Sequence, residues 1–393
     1  MAINQDFDKK RPERAGTLSR ARAALMRMLG RNRANTPLSA AAASRPARDT
    51  PASPAARPGA LLSVLEKAGR VGTTFSGGTD VVREPQALLA PKTGRYITEA
   101  FANFAGMRNY RLYIPSAYNG QPLPLIVMLH GCKQGPDDFA IGTRMNFVAE
   151  EFGCFVAYPG QSKSANGLGC WNWFNTRHQH RGRGEPSLIA GITRAVIEQY
   201  HIDQTRVYVA GLSAGGAATA ILAATYPDVF AAAGIHSGLA RGAARNVPSA
   251  FTAMRSARGT ISDAPLLTTG PDGARRFVPA IIFHGDKDDT VHPGNAAHLV
   301  KQLLPSTGEP PRHTTKRGRA SGGHRYSHDR YSDTRGESVL ETWTIHGSAH
   351  AWSGGNAAGS FTDPKGPDAS REMVRFFLSH RLEAEGSKDM GNR

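Results

Sequence analysis

Val207-Tyr208-Val209-Ala210-Gly211-Leu212-Ser213-Ala214-Gly215-Gly216-Ala217-Ala218 is the stretch on which the fold turns. The apolar run Val207 to Ala210 leads straight into a Gly-x-Ser-x-Gly turn, and an Ala-rich helical pattern, Ala217 to Thr225, follows. A continuous apolar strand is one buried on both faces, as in a parallel sheet. A strand that bends this sharply into a helix needs glycine on both flanks, and the bend leaves the serine hydroxyl standing above the sheet. The helix turns its positive end toward that hydroxyl and favours negative charge there. By itself the pentapeptide is a weak signal. It occurs once in the chain, and its place between a strand and a helix gives it weight.

The same alternation extends to either side. Tyr110 to Ile114, Leu125 to Leu129, Phe155 to Tyr158, Ala280 to Phe283 and Val339 to Ile345 read as strands. Met145 to Phe152, Leu188 to Tyr200, Ala296 to Leu304 and Arg371 to Leu378 read as helices; Met145, Val148 and Phe152 recur at helical spacing. Strand–helix alternation predicts an α/β domain with a mostly parallel, doubly wound sheet and helices on both faces. Such a sheet places its ligand site at the carboxyl ends of the strands. Arg312 to Arg335, with seven Lys and Arg against two Asp, reads as a long connection or a solvated β-hairpin and is assigned no chemistry.

A serine hydroxyl is a poor nucleophile at neutral pH; it needs a base, and the base needs an orienting carboxylate. Strand–turn–helix serine sites supply them in the order serine, acid, histidine. After Ala280–Phe283 comes His284-Gly285-Asp286-Lys287-Asp288-Asp289. Asp286, Asp288 and Asp289 compete there, each also able to serve as a plain turn residue, and Asp288 is favoured. After Val339–Ile345 comes His346-Gly347-Ser348-Ala349-His350. His346 lies at the strand end; His350 lies on a Gly/Ser loop from which an imidazole can reach the serine, and it is favoured. Acyl transfer also needs donors for an oxyanion. The N–H of Ala214 is one candidate. The N–H of Cys132, in the turn His130-Gly131-Cys132 that ends Leu125–Leu129, is the other. His178 and His180 form an H-x-H pair without a third ligand, so no metal site is expected, and the chemistry requires no cofactor.

The chain has 393 residues, with 48 Lys and Arg against 32 Asp and Glu. No apolar run reaches the ~18 residues of a membrane-spanning helix. Three cysteines, Cys132, Cys154 and Cys170, are too few for a disulfide scaffold and are not spaced as a zinc site. Residues 1–60 carry 12 basic against 4 acidic residues, half of the net excess of +16. Phe7 is the one aromatic residue there and none is interleaved with the later arginines for base stacking, so nucleic acid is not expected as a partner. Residues 35–60, mostly Ala, Pro, Ser, Arg and Thr, cannot bury enough apolar area to offset ordering entropy. Residues 1–90 thus read as a basic, largely disordered tail, 91–382 as the catalytic domain and 383–393 as a disordered C-terminal tail. Two short amphipathic pieces, Thr17 to Leu29 and Leu61 to Ala68, either dock the tail on an apolar surface, a polyester granule or an anionic surface, or are simply part of a solvated, Arg-rich tail. The N-terminus lacks the apolar core and small-residue cleavage site of a secretory signal.

Leu129-His130-Gly131-Cys132-Lys133-Gln134, Cys170-Trp171-Asn172-Trp173-Phe174, Gly211-Leu212-Ser213-Ala214-Gly215-Gly216, His284-Gly285-Asp286-Lys287-Asp288 and His350-Ala351-Trp352-Ser353-Gly354-Gly355 together resemble the polyhydroxybutyrate depolymerase family of esterases. The likeness runs in order from about Tyr96 to about Leu378. It implies an α/β-hydrolase fold and a serine carboxylester hydrolase with Ser213 as nucleophile, Asp288 as acid and His350 as base. It implies poly- or oligo-(3-hydroxybutyrate)-type substrates. The family's acetylxylan and feruloyl esterases make polysaccharide esters the alternative, and a non-catalytic granule or surface protein is a third. The resemblance further implies that Cys132 and Cys170 form a disulfide tying the oxyanion loop to the Trp loop; without an export signal, two reduced thiols are the alternative. Trp171, Trp173 and Trp352, with Phe174, read either as an apolar acyl pocket or as core packing. The family implies an extracellular location, and a cytoplasmic, granule-associated one is the alternative.

Overall fold

The computed structural model describes residues 84–258, 268–269, 275–304 and 309–382. The basic tail, with the amphipathic pieces Thr17–Leu29 and Leu61–Ala68, and the C-terminal residues 383–393 lie outside the described residues. The described residues belong to one compact unit that begins at Glu84.

Ten strands form one sheet: β1 (Arg95–Asn103), β2 (Gly106–Ile114), β3 (Leu125–Leu129), β4 (Phe155–Pro159), β5 (Val207–Leu212), β6 (Ala232–His236), β7 (Ala280–Gly285), β8 (Arg312–Arg319), β9 (Arg325–Ser332) and β10 (Ser338–His346). Their order across the sheet is β1-β2-β4-β3-β5-β6-β7-β10-β9-β8. The six strands β4, β3, β5, β6, β7 and β10 are mutually parallel. Antiparallel ribbons close both edges: β1–β2 beside β4, and β8–β9 beside β10. This is the mostly parallel α/β-hydrolase arrangement that the sequence leads one to expect. Strand order reverses between β3 and β5, so a ligand crevice is expected beyond their carboxyl ends.

Strand β3 shows why the central strands are apolar throughout. Leu125, Val127 and Leu129 enter one core, whereas Ile126 and Met128 enter the other. The first core is covered by α4 (Gly184–Tyr200), α5 (Ala214–Thr225), α6 (Val247–Ser256) and α7 (Gly294–Leu303). The second is covered by α2 (Pro136–Thr143), α3 (Met145–Phe152) and α8 (Ala369–Leu378). Helices α4 and α5 start a few residues earlier than the sequence pattern suggests, α5 directly after Ser213.

Two readings of the sequence are corrected here. Residues 84–90, assigned to the tail, join the folded unit: helix α1 (Glu84–Leu89) presents the Leu89 carbonyl to Asn146 Nδ2 at 2.6 Å, and Ala90 is buried. Strand β6 was not expected. Its sequence, Ala-Ala-Gly-Ile-His, has little β propensity, yet all five residues are buried between β5 and β7. Arg312 to Arg335 forms the antiparallel ribbon β8–β9, the hairpin alternative.

Candidate active site

Ser213 occupies the bend between β5 and α5 with φ 59° and ψ −117°, a conformation that non-glycine residues rarely adopt. The bend exists because its neighbours have no side chain. A Cβ on Gly215 would stand 2.0 Å from the Leu129 carbonyl oxygen, and one on Gly211 would stand 2.4 Å from the Gly215 carbonyl carbon. The Ser213 N–H is spent on the His236 carbonyl at 2.9 Å. The Ala214 N–H is the first amide of α5, beyond the reach of any carbonyl of its own helix.

Beside the bend runs the loop that follows β3. Its conformation is set by Gln134, whose Oε1 accepts the Gly131 N–H at 2.9 Å while Nε2 donates to Asp138 and to the Ser360 carbonyl. Lys133 donates its N–H to Leu168 O, and Gln134 donates its own to Gly131 O. These bonds use the amides of Gly131, Lys133 and Gln134 and leave that of Cys132 unspent by the loop. Gly131 lies close to the Ser213 bend: a Cβ on it would be 3.5 Å from Ser213 Cβ. Cys132 is disulfide-bonded to Cys170.

The carboxyl end of β7 carries Asp288 and the loop after β10 carries His350. Asp288 Oδ2 accepts from His350 Nδ1 at 2.7 Å, and Oδ1 accepts the backbone N–H groups of Thr290 and Val291. His284 Nε2 lies 3.4 Å from the same carboxylate. Burial alone would raise the Asp288 pKa, but the hydrogen bonds from His284, His350 and Val291 outweigh it and hold the carboxyl far below the usual range. A hydrogen bond at His350 Nδ1 leaves Nε2 as the free face of the imidazole. Ser213 Oγ is not hydrogen-bonded to His350 here. Catalytic contacts of this kind are commonly long before substrate binds.

Asp286 and His346, the competing acid and histidine, pair with each other instead. His346 Nδ1 lies 3.0 Å from Asp286 Oδ2, and the Gly347 N–H reaches Asp286 Oδ1. That pair is partly exposed. Asp289 is exposed.

The three tryptophans are packing residues, which corrects the pocket reading. Trp171 is fully buried and donates its indole N–H to the His130 carbonyl. Trp352 is also buried, donates to Ser370 Oγ and stacks on His236. Trp173 is buried edge-on to Phe174. They brace the site from behind, where large rigid rings fill volume well.

Several supporting residues were not foreseen. His236, at the end of the unexpected strand β6, stacks on Phe283 and accepts the Ser353 N–H at Nε2; burial, with help from the neighbouring His284 and His350, pushes its pKa down to about 3. His130 accepts the Gln161 N–H at Nε2 and is buried, and that burial pushes its pKa down. His178, half of the H-x-H pair, accepts the Glu185 N–H. Phe361 sets its ring edge-on to His350. A sequence signal existed for His130, which lies in a quoted motif; His236 and Phe361 had none.

A groove of about 640 Å³ bounded by Lys316, Arg330, Glu341 and Arg375 opens near the amino end of β10, away from these residues. No helix among the described residues is long and apolar enough to cross a membrane. What the constellation can do chemically is acyl transfer: a bent-out hydroxyl, an imidazole oriented by a buried carboxylate, and two amides free to receive negative charge.

Residues 108–322 match the family model described as Esterase PHB depolymerase. Poly(3-hydroxyalkanoate) depolymerase C of Paucimonas lemoignei is 34% identical over 280 residues, covering 68% of this chain and 64% of that protein. Feruloyl esterase B of Neurospora crassa is 32% identical over 217 residues, covering 52% of this chain and 72% of that protein. The chain thus spans less than two thirds of the depolymerase. The solved acetyl xylan esterase from Aspergillus awamori superposes with a TM-score of 0.58 at 21% identity, covering 73% of this chain and 100% of the other, a likeness of fold.

Proposed function

The chain belongs to the PHB depolymerase family of esterases, and we propose on that basis that it is a serine carboxylester hydrolase cleaving poly- or oligo-(3-hydroxybutyrate)-type esters through an acyl-enzyme on Ser213. The observation that carries this reading is the 2.7 Å bond between buried Asp288 and His350, on loops that follow neighbouring parallel strands.

In the proposed cycle His350 Nε2 takes the proton of Ser213 Oγ as that oxygen attacks the ester carbonyl carbon. The carbonyl π pair moves onto oxygen, and the N–H groups of Ala214 and Cys132 receive the resulting oxyanion. Asp288 stabilises the imidazolium. Collapse of the tetrahedral intermediate breaks the ester C–O bond, and His350 gives its proton to the leaving alkoxide. Water, deprotonated by His350, then repeats the attack and frees the acid and Ser213. No cofactor enters these steps.

A second substrate reading, an acetylxylan or feruloyl-type polysaccharide esterase, is favoured by the feruloyl esterase relative and by acetylxylan esterase A of Talaromyces purpureogenus, 29% identical over 211 residues. The test is a panel of p-nitrophenyl esters, hydroxybutyrate oligomers and acetylated xylan, run with the full chain and with Ser213→Ala. Ester hydrolysis that vanishes in the folded variant supports the assignment; undiminished turnover refutes it. The preferred class within the panel decides between the substrates.

A further inference from the structure

We infer that Phe361 forms the binding face of a subsite for the leaving alcohol, one that takes alcohols presenting a flat, CH-rich surface such as a sugar ring, an aryl group or a hydroxyalkanoate unit. This rests on the esterase reading above and extends it to the part of the substrate that departs.

Phe361 combines three properties that a structural residue has little reason to combine. Among the described residues it is one of five large apolar side chains left open to solvent, 41% exposed. Its backbone sits at φ 52°, a left-handed conformation that is an outlier for a bulky residue. Its ring stands edge-on to His350, centroids 6.4 Å apart.

The loop pays for that conformation with an unusual density of bonds. Asn356 N–H reaches the Gly142 carbonyl at 2.8 Å, Ser360 N–H reaches Asp138 Oδ1 at 2.9 Å, and the Ser360 carbonyl accepts from Gln134 Nε2. Thr362 Oγ1 donates to the Asn356 and Gly359 carbonyls, and the Phe361 carbonyl itself accepts the Trp352 N–H at 2.7 Å. Even the contact at Gly359 is tight: a Cβ there would lie 2.4 Å from Gly142 Cα. The loop is therefore fixed to α2, the helix that continues the oxyanion loop, and it holds an exposed aromatic ring in place. Rigid presentation of a ring is how aromatic residues bind flat apolar faces at low entropic cost.

Position assigns the ring to the alcohol. The group that receives a proton from His350 is the leaving alkoxide, so that part of the substrate must lie against the imidazole. Among the described residues, the exposed aromatic ring set against the imidazole is that of Phe361.

The experiment measures kcat and KM for two ester series on the full chain and on Phe361→Ala, Phe361→Leu and Phe361→Tyr. One series fixes the acetyl group and varies the alcohol: methyl acetate, benzyl acetate and xylose tetraacetate. The other fixes methanol and varies the acid: acetate, butyrate and hexanoate. Phe361→Ala is expected to lower the preference for benzyl and xylose esters over methyl acetate by about tenfold, mainly through KM. Phe361→Tyr should restore that preference and Phe361→Leu should not, with the acyl-length preference the same in all. A parallel loss across both series, or a change confined to the acyl series, overturns the inference. So does an unmoved alcohol preference in an active variant. Wild-type protein inert toward every ester would instead defeat the esterase reading itself.

Discussion

Asp288 is fully buried, and its Oδ2 stands 2.7 Å from Nδ1 of His350, whose side chain is 9% exposed. Two residues upstream of Asp288, and four upstream of His350, Asp286 and His346 make a second carboxylate–imidazole pair of nearly the same length. Burial separates the two. The shielded pair retains its electrostatic strength, whereas the outer one is screened by water. Asp288→Asn is accordingly expected to lower kcat by about 10³–10⁴-fold, through loss of the productive tautomer. Asp286→Asn should stay within about fivefold of wild type, the equivalent of ~1 kcal/mol. Steady-state kinetics on a p-nitrophenyl ester distinguishes them; equal losses would mean that the acid has been misassigned.

The Cys132–Cys170 bond closes a loop across a sequence separation of 38. A loop of that length restricts the unfolded chain by about 4 kcal/mol in the chain-entropy account. The paired substitution Cys132→Ser with Cys170→Ser should lower unfolding free energy by that order in urea titrations. It should also lower kcat more than it raises KM, because the loop that holds the Cys132 amide loses its tether to the segment after Leu168. A stability loss with kcat intact would remove Cys132 from the oxyanion site.

Gly215 has no room for a methyl group, since the nearest atom to a Cβ there is backbone oxygen at 2.0 Å. Gly215→Ala is expected to cost about 3 kcal/mol of stability, the upper range for overpacking, and to abolish hydrolysis. Urea unfolding followed by tryptophan fluorescence measures the first and an ester assay the second.

Glu341 lies buried in β10 between His328, Arg375 and Ser338. Burial raises its pKa, but hydrogen bonds from His328 and Arg375 outweigh that and bring it from 4.5 down to about 2. A depressed acid pKa stabilises the fold above the unfolded value and loses that contribution as pH falls through the folded one. Stability worth about 3 kcal/mol should therefore fade between about pH 4.5 and pH 2. In Glu341→Gln the decline over this window should flatten, with the two proteins converging near pH 2. Unfolding free energies measured across the window check it; parallel curves would show that Glu341 is not the titrating group.

Much of the central architecture was legible because buried parallel strands are written as unbroken apolar runs, and Leu125–Leu129 is the plainest case. Strand β6 was illegible for a physical reason. Helix α8 presses so closely on it that a Cβ on Gly234 would meet Met373 Sδ at 2.7 Å, so the position requires a small residue that carries no strand signal. His236 was lost with it. The edge strand β1 was missed because its exposure alternates and a charged residue, Glu99, interrupts the run. Among the site residues, those tied to a chain motif could be read, whereas Phe361 depends on where a distant loop lands. The tryptophans show the converse: an aromatic cluster beside a motif says nothing about which way the rings face.

The outermost strand of the sheet, β8, carries Lys316, Arg317 and Arg319, all exposed. An open edge is an invitation for a neighbour's strand to dock, and a row of cations makes that approach repulsive. The ribbon can thus be understood as a fence: it lets a ten-stranded sheet end in water while keeping crowded molecules from stitching themselves into larger sheets.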